Sequence, residues 1–532
     1  MADVFTNDLR IREQEVGANS GAWGGYLNTS LENIAEAFSL GSEALSDAST
    51  ATITIADGTS DEARSFNLKL TGSLSQACTV TLAPNTVSKV WVIENNAGDT
   101  VTISQGSGAN VVIPNGGIRM IATDGAGSGA AVTDVLDMLG GTGNVGLGSG
   151  AFGTGLTTGT DNVAIGEAAG DALTTGSDNT FVGDEAGGAT TTGAQNTAIG
   201  EAALDANSTG SHNTAVGRSA LTSATTADYN TAVGSGAMDT TTTGTQNVAV
   251  GRKAMDANTT GSYSVAVGYQ ALDAQTTATN NTAVGWESGS ATTTGASNTF
   301  IGQNSGASNT TANYNTAVGA LSFDASSTGA SNTALGYAAL TANTTAASNV
   351  SIGADSMTTN TTGAENVAVG ASALYTNATT NYNVAIGAGA LYTNAAASNT
   401  GVGYHALFAN TTGDTNVAVG ANALDANTTG SSNVSVGKGA LGANTTADSN
   451  VAVGYDSLAL NTTGHSNVAV GRSAMLANTT GVENTSIGFD SLKRLTTGSY
   501  NVALGGKAGD EVTTGDYNVA LGRSALRAVT TA

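Results

Sequence analysis

Proline is nearly missing from this sequence. Only Pro84 and Pro114 occur, so every residue beyond 114, in a chain of 532, carries a backbone N–H. That suits an uninterrupted hydrogen-bond ladder, to which proline cannot donate. Cysteine is represented by Cys78 alone, which excludes an intrachain disulfide; it reads as a small core residue in a strand. Charged residues are 11% and aromatics 5% of the chain, far from the make-up of an ordinary enzyme. The 16 Lys and Arg are outnumbered by 41 Asp and Glu, for a net charge of −25. That balance argues against nucleic-acid binding by phosphate neutralisation. No apolar run is long enough for a transmembrane helix, so membrane insertion is not expected. The opening, MADVFTNDLRIREQEVG, lacks the apolar segment of a secretory signal.

What the chain has in plenty is glycine, 72 residues, and a period. The segment Asn416–Ser432, NVAVGANALDANTTGSS, is followed from Asn433 by NVSVGKGALGANTTADS. The leading asparagine recurs from Asn144 to Asn518 in 22 of 23 units, with Ser264 in the remaining one. The spacing is 17 residues except for one 18 (144 to 162) and one 16 (383 to 399). A fixed period over this length means a solenoid or fibre.

The consensus is N-[VT]-A-[VI]-G-x-x-A-[LM]-x-x-N-T-T-[GA]-x-x. In NVAVG, Val417 and Val419 share one strand face and Ala418 takes the other. Gly420 permits a bend. Ala423-Leu424 reads as a second short apolar strand, and Asn427-Thr428-Thr429-Gly430 as turn chemistry. One unit is then one coil of a parallel β-solenoid, with Ala, Val, Leu and Ile expected inside. Stacked at about 4.8 Å, the 23 coils would run about 110 Å. The leading asparagines, among them Asn247, Asn281, Asn315, Asn366, Asn416, Asn433 and Asn467, are expected to hydrogen-bond from coil to coil. Both strand faces are apolar, which suggests burial on both. Several copies around one axis, most simply three, would achieve it.

Before the repeats the chain divides into three parts. Residues 1–47 are expected to form a helical N-terminal module. It would hold one or two helical turns at Asp8–Val16, a Gly-rich loop carrying Trp23 and Tyr26, and a second helix. Thr29 and Glu32 would cap that helix, Leu31, Ile34, Ala35 and Phe38 would form its apolar stripe, and Gly41 would stop it. The module could equally be a small cap on the next domain. Residues 48–137 read as a small antiparallel β-sandwich of seven strands, between Thr52 and Ala122. Residues 138–143 are a linker, and 144–532 the solenoid. The fold class is all-β.

No catalytic group, metal site or cofactor is expected. His212, His405 and His465 fall at three different repeat positions, and no acid recurs at one position in most units. Two clusters are candidate receptor contacts. Tyr375, Tyr392 and Phe408 each follow their unit's asparagine by nine residues, with Tyr382 and Tyr404 nearby; such a row could stack on sugar rings or simply shield a turn. Lys493, Arg494, Lys507, Arg523 and Arg527 gather in the final forty residues. They could steer toward anionic glycans or be ordinary surface charge.

The NVAVGxxAL units resemble the head repeats of trimeric autotransporter adhesins, whose parallel β-rolls pack as trimers. They are still more similar to the NTAVGxxALxxNTTG arrays of bacteriophage tail fibres, and this resemblance covers residues 144–532. The opening pattern RxREQExGANSGxWGxxLNxxLExI resembles that of marine phage fibre and appendage proteins. It implies a virion-attaching end carrying Trp23, Tyr26, Leu31, Ile34 and Phe38. The run SKVWVIENNAGDTVTISQG resembles a β module of phage tail proteins, with the mechanical role of a collar. Together these imply a homotrimeric virion appendage, made in the host cytoplasm. It would dock on other virion tail proteins and attach to a glycan or protein of the host cell surface. A bacterial surface adhesin is the first alternative, although no export signal or membrane anchor is evident. An ice-binding solenoid is the second, but the adjacent threonines of each turn should point to opposite sides.

Overall fold

The computed structural model describes residues 23–56, 59–138, 143–153 and 155–527. They belong to two compact units divided between Tyr229 and Asn230. The first unit holds one helix, a sheet region and five coils of a parallel β-solenoid; the second holds eighteen further coils. The expected turns at Asp8–Val16 lie outside the described residues.

Helix α1 spans Trp23–Ala37. Thr29 is therefore interior and not a cap: its hydroxyl donates to the Gly25 carbonyl at 3.1 Å, a local bond that competes with capping. The stretch WGGYLN, expected as a loop, is the first part of the helix. Gly41 does not stop it either, since the helix ends at Ala37 and Gly41 lies in strand β1 (Leu40–Leu45). One side of α1 is fixed by Arg64, which is fully buried. Its guanidinium donates to Asn33 Oδ1 at 3.1 Å, Glu36 Oε2 at 3.0 Å and the carbonyls of Thr59 and Ala56. A buried cation is tolerable only with such a set of partners.

The sheet region contains every strand expected between Thr52 and Ala122. They are β2 (Thr50–Thr54), β3 (Asn67–Gly72), β4 (Cys78–Ala83), β5 (Ser88–Asn96), β6 (Val101–Ser104), β7 (Val111–Ile113) and β8 (Ile118–Asp124). β1 precedes them and β9 (Val132–Met138) follows. The expected antiparallel arrangement is corrected, because β1, β3 and β5 pair in parallel in one sheet and β2, β4 and β6 in parallel in the other. From β1 to β6 successive strands alternate between the sheets, so turn signals such as Asn96-Ala97-Gly98 mark corners and not hairpins. Antiparallel pairing enters only with β7, β8 and β9, of which β7 and β9 are edges. Trp91, Leu68, Leu70, Ile93, Ile103 and Ile121 fill the space between the sheets, and Cys78 is buried among them.

In the solenoid we count each leading asparagine as position 0. Every coil has one strand, at positions 1–3, and within each compact unit it pairs in register with its neighbours: Val417 lies opposite Val434 and Val419 opposite Val436. β-Branched side chains at positions 1 and 3 favour this conformation. The Gly420 at position 4 has φ 136°, and a Cβ there would stand 2.7 Å from the Gly437 backbone of the next coil. No other residue suits that position.

The expected second strand is absent. Asn422 and Leu424, at positions 6 and 8, are left-handed, with φ 54° and 52°. Their amides point opposite ways, Asn422 N–H back to Tyr404 O at 2.9 Å and Leu424 N–H forward to Ala440 O at 3.1 Å. The turn is thus a ladder too, and Ala423 and Leu424 remain fully buried. The inside of the coil is narrower than expected. Ala418 is 0% exposed while Val419 is 37% exposed, so the position 1 and 3 side chains point away from their own core.

Two coils show how tightly that core is filled. Phe181 and Phe300 replace the alanine at position 2. Each lies against glycines at position 8 of its own and the preceding coil, where Leu or Met is usual: Gly170 and Gly187, and Gly289 and Gly306. A Cβ on Gly187 would sit 2.5 Å from the Phe181 ring. The ring occupies space that leucine side chains fill in other coils, so its glycine neighbours are needed to admit it.

Candidate functional site

Two columns of buried asparagine run inside the coils. In the first, within each compact unit, a side-chain oxygen accepts the backbone N–H of the next coil's position 0, as from Asn433 to Asn416 at 2.9 Å. Asn247, Asn315, Asn366, Asn416 and Asn467 donate to their predecessors in the same way, each at 2.9 Å. The side-chain amide turns inward to its own coil, as Asn416 Nδ2 does to Gly430 O at 2.8 Å. Asn281 follows the one exception, and its N–H donates to Ser264 Oγ at 3.2 Å. The same coil carries Gln275, whose longer side chain accepts from Asn281 Nδ2 at 3.0 Å and lies 3.4 Å from Asn258 Oδ1. The short Ser264 and the long Gln275 restore the network together.

The second column, at position 11, was missed in the sequence. Asn427, read only as turn chemistry, is fully buried. Its amide donates to Asn410 Oδ1 at 2.8 Å, and Asn444 donates in turn to Asn427 at 2.9 Å. The signal was available: Asn holds position 11 without interruption from Asn343 to Asn478, a constancy that turn chemistry does not require.

The outward strand face is the most distinctive surface. Among the described repeats, the exposed large apolar residues, Leu460 excepted, lie at positions 1 and 3 or at positions −1 and 5 just outside the strand. Position 3 is Val, Ile or Leu in every coil. The flanking positions carry aromatics and arginines: Tyr269 stacks near Trp286 at 6.3 Å, Arg252 lies over Tyr269, and Arg472 lies 4.4 Å over the Phe489 ring.

The row at position 9 forms as one stack. Tyr375 and Tyr392 are 5.0 Å apart, and Tyr392 and Phe408 5.1 Å. His405 lies between Phe408 and Tyr404, at 4.4 and 3.8 Å. The ring faces are largely spent on one another, leaving edges and the two ends of the stack for a ligand. Tyr382 is exposed at position −1, on the rim of the strand face. Elsewhere position 9 holds half-buried acids. Burial pushes the carboxyls of Asp205, Asp273, Asp324 and Asp425 above their ordinary values, with Asp171 adding to the effect on Asp205 and Asp256 on Asp273.

The basic residues near the end are not a uniform cationic patch. Lys493 pairs with Asp490 at 3.3 Å and Arg494 with Glu511 of the next coil. Lys507 is half-buried, and Arg523 and Arg527 are exposed. At the other end, Leu31, Ile34 and Phe38 are exposed on the side of α1 away from Arg64; the side chains of Trp23 and Tyr26 lie outside the described residues. Among the described residues no helix is long and apolar enough to cross a membrane. No family model, curated protein or solved structure matches this chain.

Proposed function

We propose that this chain is a structural protein of a bacteriophage virion, a tail fibre or related appendage. It acts as a homotrimer, held to other virion tail proteins through its N-terminal region. Its solenoid carries the contact with a glycan or protein of the host cell surface. It works by reach and binding, not by catalysis.

One observation supports this most directly: the apolar strand face, with its aromatic and arginine flanks. A contiguous exposed apolar surface marks an interface, and Tyr, Trp and Arg are the residues enriched at interface cores. Three copies turned toward one axis cover it. Trimerisation also makes three weak receptor sites bind as one through avidity.

The test is the native mass of the purified chain beside that of a variant with Val419→Glu, Val436→Glu and Val453→Glu. Three chains for the parent and one for the variant, with unchanged far-ultraviolet circular dichroism, is the expected result. A monomeric parent overturns the proposal. Attachment itself is tested by binding of the labelled protein to bacterial cells, with competition by their surface polysaccharide.

An ice-binding face is the second reading. Thr282, Thr299, Thr316 and Thr333 occupy position 1 in four consecutive coils beside the aliphatic position 3. Of the two turn threonines the first is occupied, since Thr428's hydroxyl donates to the next coil's carbonyl at 3.0 Å, whereas the second, such as Thr429, is exposed. Thermal hysteresis by a monomeric chain would favour this reading over the first.

A further inference from the structure

The outer side of α1 carries a second apolar surface, exposed among the described residues. Leu27, Leu31 and Ile34, with Phe38 just past the helix end, are 51%, 55%, 39% and 82% exposed. Their spacing is four, three and four residues. That is the d-a-d-a step of a heptad, the narrow seam by which helices pack on helices. The positions beside the seam are Asn28, Ser30, Ala35 and Ala37, none of them charged. Identical helices can therefore meet there without repulsion. Glu32 lies off the seam, and Glu36 is turned toward Arg64. Leu at an a position with Ile at d favours three or four helices over two, and here these are Leu31 and Ile34.

We infer that the α1 helices of three copies close into a short parallel bundle, with Leu27, Leu31, Ile34 and Phe38 as its core. The copy number rests on the homotrimer reading above; the seam is a separate interface. A helix of 15 residues is marginal by itself. The strand faces would supply the local concentration that closes the bundle, and the bundle would hold the three N-terminal ends in one register.

The experiment is disulfide trapping in the full chain. Ile34→Cys places a thiol in the seam and Glu32→Cys places one outside it; both sites are at the surface, and Cys78 is buried. After mild oxidation, Ile34→Cys should give covalent dimers on a non-reducing gel, because each bond joins two of three chains. Glu32→Cys should give at least tenfold less. A trimeric native mass with no trapping at Ile34, or with equal trapping at Glu32, overturns the bundle and leaves the homotrimer intact. A monomeric native mass removes both.

Discussion

A buried asparagine among alanines and leucines is tolerable only when its amide is met on both sides. The position 0 column achieves this by passing one bond forward and one into its own turn. Asn433 Oδ1 accepts the Asn450 amide, and Asn433 Nδ2 donates to Ala447 O, at 2.9 and 2.8 Å. Asn433→Ala leaves both partners unmet and should cost about 1–3 kcal/mol. Asn433→Ser should cost less, since the hydroxyl can take the forward bond as Ser264 does. Urea melts of the two variants decide the point; equal losses would remove the forward bond from the account. The acids at position 9 make the opposite case. Burial holds the Asp324 carboxyl above its ordinary value of 3.8. The folded state then binds protons more readily than the unfolded one, so stability rises as pH falls toward that value. Asp324→Asn should accordingly raise the melting temperature at pH 7, with the gain vanishing in acid. Thermal scans at both conditions check it.

At the scale of the element, much of the solenoid was legible and its details were not. The period, the single strand at NVAVG and the position 0 ladder follow from residues repeated at fixed spacing. The conformation of Ala423-Leu424 did not, because left-handed backbone at Asn422 and Leu424 has no marker when the residues are not glycine. Nor did the inward face: Val417 and Ala418 are both apolar, and only closure of the coil decides which side is core. Strand direction in the sheet region was hidden for a related reason, since a corner and a hairpin use the same turn residues. The Phe–Gly exchange yields a prediction at this scale. Phe181→Ala should destabilise by about 3–5 kcal/mol, and adding Gly170→Leu with Gly187→Leu should recover part of the loss. Gly187→Leu alone should be worse than silent, because its side chain meets the Phe181 ring. For α1 the anchor is ionic. Although burial raises the Glu36 carboxyl, hydrogen bonds from Ser60, the Asp61 amide and Arg64 hold it below 4.5. Its contribution is present above that pH and fades as pH falls through the depressed value, so α1 amides should lose protection, measured against their intrinsic exchange rates, in acid before those of the coils do.

For the molecule as a whole, stability should be a sum over coils and the contacts between neighbours. Deleting Asn433–Ser449, one full unit, lets the coil from Asn416 meet the coil from Asn450 in the same register. That variant should fold with a stability lower by one coil and its contacts. Deleting nine residues from Asn433 joins unlike positions and should give insoluble protein; equal solubility of the two would count against nearest-neighbour additivity. The same uniformity creates a hazard. A coil that skips one unit and stacks 17 residues out of place finds the same glycines, asparagines and valines waiting, so local chemistry alone cannot detect a frame error. The irregular coils can. Phe181 and Phe300 fit only beside their own glycines, Gln275 only beside Ser264, and the 16- and 18-residue units break the count. They act as punctuation in a monotonous text, marks by which a slipped reading is recognised and corrected before the ladder sets.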